Sequence, residues 1–151
     1  MRRLAVLFVL VLVLTFALPA AAANLGSAPM NVDGLTIDLL SVERKGAVVT
    51  VKWAVRNGGS KEVRAMFVLD GKKATTYLVD EENGTKYFAL SDKEGQLLAT
   101  EDEYDGIWES VDQGQTKRFW AKFPAPPPAV KSINVLFSDA DPFESIAITD
   151  K

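Results

Sequence analysis

The chain has 151 residues, a formal net charge of −3, and neither Cys nor His. Without these two residue types it cannot build the usual zinc, copper or haem ligand sets, a disulfide framework, or a nucleophilic triad that needs His or Cys. Its length fits a single domain, and 48% hydrophobic residues are enough to fill a core. We therefore expect no cofactor.

The first 23 residues have the pattern of a secretory signal peptide. Arg2 and Arg3 precede an uncharged apolar run from Leu4 to Leu18, and Pro19 is followed by four alanines. Alanines at the third-last and last positions before Asn24 suit signal peptidase, so cleavage is expected before Asn24. The alternative is an uncleaved membrane anchor, for which this run is short against a span of about 20 residues. We expect general secretory export, to the periplasm or the cell exterior.

Removal of the signal peptide makes the remaining chain more acidic. Without Arg2 and Arg3, 15 basic residues face 20 acidic ones, a formal net charge of −5. This balance favours solubility and argues against generic nucleic-acid binding. We expect a monomer that contacts a membrane only if the signal segment stays uncleaved.

The rest of the chain shows the period-two alternation typical of β-strands. After small and polar residues at 24–30, expected to be a flexible leader, alternation begins at Leu35 and continues to about Val42. A turn is expected at 43–46, and the strand that follows carries Trp53 on its apolar side. Similar patterns predict strands at 63–69, 75–79, 86–90, 96–99, 116–123, 130–137 and 145–149.

These strands and their Gly, Asn and Asp turns are typical of a β-sandwich or a small barrel. Only 104–111 has room for a single helical turn. The sequence PAPPP at 124–128 lies between two predicted strands and favours a rigid crossover between sheets over a linker or a peptide ligand.

Three stretches together carry a family resemblance: YLVDEENGTKYFALSDKEGQLLAT at 77–100, VDQGQTKRFWAKFPAPP at 111–127 and PFESIAI at 142–148. Their order resembles a family of bacterial extracytoplasmic immunoglobulin-like domains, found alone behind a signal peptide or in front of OmpA-type domains. The resemblance implies an all-β, immunoglobulin-like β-sandwich of about seven to nine antiparallel strands over 31–151. It implies no catalytic residues. In such a fold, Trp53 is expected in the core.

The first candidate site is a surface around Trp120. Phe119, Ala121 and Phe123 share one side of their strand, which places Trp120 on the other side between Arg118 and Lys122. An exposed indole can hold a sugar ring or a partner surface. The alternative is a cation–π contact with its own Arg and Lys neighbours. Trp108 and Tyr104 form a second possible contact surface.

The second candidate is a calcium site in the acidic run. Glu101, Asp102, Glu103 and Asp105 lie within five residues, and converging carboxylates are Ca²⁺ ligands. The EF-hand spacing is not met, so a solvated acidic loop is the alternative.

The functional expectation is a non-catalytic binding or accessory module of the cell envelope. No serine lies in a nucleophile-elbow motif, and no pair of acids is singled out by spacing, so we expect no enzyme. The expected partner is an envelope polymer or protein. A structural or stress-protective envelope component without a discrete ligand is the alternative, and a calcium-binding domain is a further one.

Overall fold

The computed structural model describes residues 24–71, 73–100 and 105–151. Within them the protein is all-β, with 11 strands. The described residues contain no helix, and hence none long and apolar enough to cross a membrane. The strands are β1 (Gly26–Pro29), β2 (Leu35–Lys45), β3 (Val48–Asn57), β4 (Val63–Val68), β5 (Tyr77–Asp80), β6 (Thr85–Tyr87), β7 (Gly106–Val111), β8 (Thr116–Pro124), β9 (Ser132–Leu136), β10 (Phe143–Ala147) and β11 (Thr149–Asp150).

The strands form three sheets. The first has the order β1-β2-β3-β8, the second β10-β9-β5-β6, and the third is the pair β4-β7. All of these pairings are antiparallel, whereas β11 adds to β2 in parallel. At the centre of the first sheet, Leu39, Trp53 and Phe119 lie side by side on successive strands.

An aromatic cluster joins the first sheet to the others. The Trp53 ring lies 5.2 Å from that of Phe67, 5.9 Å from Phe119 and 5.1 Å from Phe137. Trp53 is fully buried, which confirms its expected place in the core. Apolar surface buried in this way stabilises a fold by about 25 cal/mol per Å². Antiparallel sheets packed through such a core are consistent with a β-sandwich.

Two segments differ from their sequence predictions. Residues 24–30, expected to be a flexible leader, contain β1, because Gly26–Pro29 pairs with β2. Asn24 and Ser27 also donate hydrogen bonds of 3.1 and 2.6 Å to the Asp38 carboxylate. The segment 104–111, where the sequence left room for one helical turn, contains none in its described part. Gly106–Val111 is strand β7, whose inward-facing Ile107 is buried.

Strand ends also differ from the alternation pattern. β2 continues to Lys45 through the expected turn, because Glu43 and Arg44 pair with both β3 and β11. The strand expected at 96–99 is reduced to isolated bridges at Leu97 and Ala99. The proline-rich segment does cross from β8 in the first sheet to β9 in the second, as predicted.

Candidate binding surface around Trp120

Strand β8 presents Trp120 to solvent. Phe119, Ala121 and Phe123 are buried, and the intervening Trp120 is 38% exposed, one of three exposed large hydrophobic residues in the described chain. The predicted side of the strand is therefore confirmed. An exposed indole on a sheet presents a flat, partly apolar surface that a ligand or partner can cover.

Three cations surround this indole. Lys52 lies directly opposite Trp120 on β3, and Arg118 and Lys122 flank it on the same side of β8. The Lys122 Nζ lies 5.8 Å from the centre of the Trp120 ring, the distance of a long cation–π contact. We call the four residues Lys52, Arg118, Trp120 and Lys122 the Trp120 face.

The backbone under Trp120 is fixed on both sides. On one side β8 pairs with β3. On the other, the Trp120 N–H donates to the Thr100 Oγ1 at 2.7 Å, and the Thr100 N–H donates to the Trp120 carbonyl at 2.8 Å. Lys122 is held in the same way, because its N–H donates to the Leu98 carbonyl and its carbonyl accepts from Leu90 N–H. The surface is therefore preorganised rather than mobile.

The positive charges of this sheet are unequally compensated. Lys52 is 3.5 Å from the Glu43 carboxylate. Farther along β3, Arg56 donates to the Asp38 Oδ2 at 2.6 Å, a hydrogen bond that is the main reason why the pKa of Asp38 is lowered, with burial opposing it. Among the described residues, Arg118 has no ion-pair partner. Arg118 also lines a depression of about 210 Å³ that reaches the core at Ile107.

The second predicted contact surface is on the other side of the molecule. The rings of Phe119 and Phe67 face each other in the core at 5.5 Å, so their strand neighbours Trp120 and Met66 point outward on opposite sides. Trp108 lies opposite Met66 on β7, half-buried beneath the Arg64 guanidinium. The structure therefore does not bring Trp108 and Trp120 together. Tyr104 lies outside the described residues.

Most of the predicted calcium ligands also lie outside the described residues, namely Glu101, Asp102 and Glu103. Asp105 is described, and its carboxylate accepts a 3.4 Å hydrogen bond from the Trp108 indole. In the described part of the chain, no three acidic residues come close enough to hold a metal ion.

Sequence reasoning missed Lys52 and Thr100 as parts of the Trp120 surface. Both are joined to Trp120 across strands, over 68 and 20 residues of sequence respectively. Alternation within one strand assigns a side but not a partner on the next strand. The period-two pattern around Trp53 does place Lys52 on the outward side, and this was the available signal.

Comparison with known proteins gives no match: no protein-family model, curated protein or solved structure matches the chain. The family resemblance of the three sequence stretches stays a prediction. What the protein does must therefore be inferred from the Trp120 face itself.

Proposed function

We propose that this chain is an exported, non-catalytic binding module of the bacterial cell envelope, built on an immunoglobulin-like β-sandwich. The Trp120 face is its binding surface, and an envelope polymer is its ligand. The single observation that carries the proposal is the exposed indole of Trp120, held on a rigid strand between cations.

The position of Trp120 supports binding over a purely structural role. An indole contributes most to stability when it is buried, as Trp53 is. Trp120 instead leaves 38% of its surface in solvent. A flat, partly apolar ring on a fixed backbone suits the apolar face of a sugar ring, and preorganisation reduces the entropy lost on binding.

Two observations support the fold and export parts of the proposal. Trp53 packs across the core against Phe67, where immunoglobulin-like sandwiches place a central aromatic residue. The first two residues after the expected cleavage position belong to the fold, because Asn24 bonds to Asp38 and Leu25 to Leu39. N-terminal sequencing of the exported protein should therefore begin at Asn24, and retention of residues 1–23 would contradict the export proposal.

A retention experiment tests the binding function. The full chain is expressed in bacteria, and the exported protein is incubated with insoluble bacterial cell-wall material. We expect the wild type to be retained and Trp120→Ala to be released. Phe88→Ala is the matched control, because Phe88 is 36% exposed on another part of the surface.

The possible outcomes separate the alternatives. Retention of wild type and Phe88→Ala, with loss of Trp120→Ala, supports the proposal. Equal retention of Trp120→Ala and wild type overturns it, and loss in Trp108→Ala instead moves the site to the opposite side. If no variant is retained, the structural role without a discrete ligand takes its place.

A further inference from the structure

We infer that the ligand of the Trp120 face is an acidic polysaccharide, a glycan chain that carries carboxylates at intervals. This inference rests on the proposed function and specifies its ligand class. It follows from a contrast in charge: the chain without its first 23 residues carries −5, whereas the Trp120 face has three cations, of which only Lys52 has an acidic partner among the described residues, Glu43 at 3.5 Å.

The charge of this face is available to a ligand. Arg118 is exposed, and the Nζ of half-buried Lys122 lies 5.8 Å from the centre of the Trp120 ring. Neither has an acidic partner among the described residues, whereas Arg56 on the same sheet is occupied by Asp38. A guanidinium fork without a partner is suited to bidentate carboxylate recognition.

The spacing of the cations favours a polymer over a small anion. Arg118 and Lys122 are four residues apart on one strand, which corresponds to about 13 Å between their Cα atoms. Trp120 lies midway between them, and Lys52 lies beside it at about 5 Å on β3. Cations spread along such a row suit a chain that places a sugar ring on the indole and carboxylates on either side of it.

A glycan fits this face better than a nucleic acid. Aromatic residues between cations also bind single-stranded nucleic acids, which carry a charge on every nucleotide. Such a dense polyanion would be repelled by the negative charge of the rest of the protein. A polysaccharide with sparse carboxylates matches the few cations of this face and is repelled less.

The test compares polymers of different charge on the exported protein. Binding is measured to hyaluronate, which carries a carboxylate on every second sugar, to neutral dextran and to a single-stranded oligonucleotide. We expect binding to hyaluronate to be strongest, to weaken as salt rises from about 50 to 500 mM, and to fall about tenfold in Trp120→Ala. Arg118→Gln and Lys122→Gln should each lose about two- to fivefold.

Lys86→Gln is the matched control. The Lys86 Nζ also lies beside an aromatic ring, 4.6 Å from the centre of Tyr77, but in the second sheet. The Lys86→Gln variant should bind the polymer as tightly as the wild type does. An equal loss in Lys86→Gln would mean that general charge, not the Trp120 face, attracts the polymer, and would overturn the inference.

The remaining outcomes distinguish this inference from the proposed function. Salt-independent binding of dextran that is lost in Trp120→Ala would overturn the acidic ligand and leave the binding function standing. Preference for the oligonucleotide would overturn the inference. If no polymer binds and the protein is not retained on cell-wall material either, both proposals fail.

Discussion

Arg44 and Asp150, 106 residues apart in the sequence, form a bidentate ion pair. The Arg44 Nε donates to the Asp150 Oδ1 at 2.6 Å, and the Arg44 Nη2 donates to the Asp150 Oδ2 at 3.1 Å. The same buried guanidinium donates to the carbonyls of Pro127 and Val130, both at 3.1 Å. One side chain therefore fixes both the proline-rich crossover and the C-terminal strand β11 to β2.

Arg44→Lys should destabilise the protein by about 1–3 kcal/mol, because a lysine cannot reproduce the guanidinium fork that bonds Asp150 and the carbonyls together. Chemical unfolding measures the change. Arg118→Lys is the control, since Arg118 is exposed, and its stability should equal that of the wild type. A stable Arg44→Lys variant would show that these hydrogen bonds are replaceable.

Trp53→Ala should cost about 3–5 kcal/mol, because it leaves a cavity among Phe67, Phe119 and Phe137. Trp120→Ala should change the free energy of unfolding by about 0.5 kcal/mol or less, since its ring is on the surface. The two variants can be compared by thermal or urea unfolding. Similar melting temperatures for both would contradict the assignment of one indole to the core and the other to the surface.

The Asp38 carboxylate should make stability depend on pH. Hydrogen bonds, first of all that from Arg56, lower the pKa of Asp38 in the folded state. Its stabilisation is therefore present above its unfolded pKa, about 4, and is lost as the pH falls through its lower folded pKa. Asp38→Asn should cost about 1 kcal/mol at pH about 7 and less at pH about 2. An equal cost in urea unfolding at both pH values would contradict this.

Gly106 should not tolerate a side chain. A Cβ at this position would lie 2.0 Å from the Phe67 carbonyl oxygen, on the neighbouring strand β4. Gly106→Ala should therefore destabilise by about 2–3 kcal/mol, measured by chemical unfolding. Gly71→Ala is the control, because its Cβ would meet only Phe88, at an ordinary 3.6 Å. Equal stabilities of the two variants would argue against this close approach of β4 and β7.

The parts of the fold that follow from local alternation could be predicted from the sequence. The inward side of β8, with Phe119 and Phe123, follows from the period of two, and so does the outward position of Trp120. The same pattern around Trp53 predicted a core residue. These features depend on neighbours within one strand, which the sequence shows directly.

Features that depend on distant partners could not be predicted. Arg44 falls in an expected solvent-exposed turn, but it is buried because its partners come from the crossover and from β11. β1 has no apolar alternation, and it is ordered because Ser27 bonds to Asp38. Likewise, Lys52 joins the Trp120 face only through the register of β3 with β8.

The most direct test of the Trp120 face is an NMR titration of the three indole N–H groups. Trp53, Trp108 and Trp120 give one resonance each, assigned by substituting each with Phe. On addition of hyaluronate to the exported protein, we predict that the Trp120 resonance shifts strongly while those of buried Trp53 and of Trp108 on the opposite side stay in place. A shift of Trp108 with Trp120 unchanged would contradict the account.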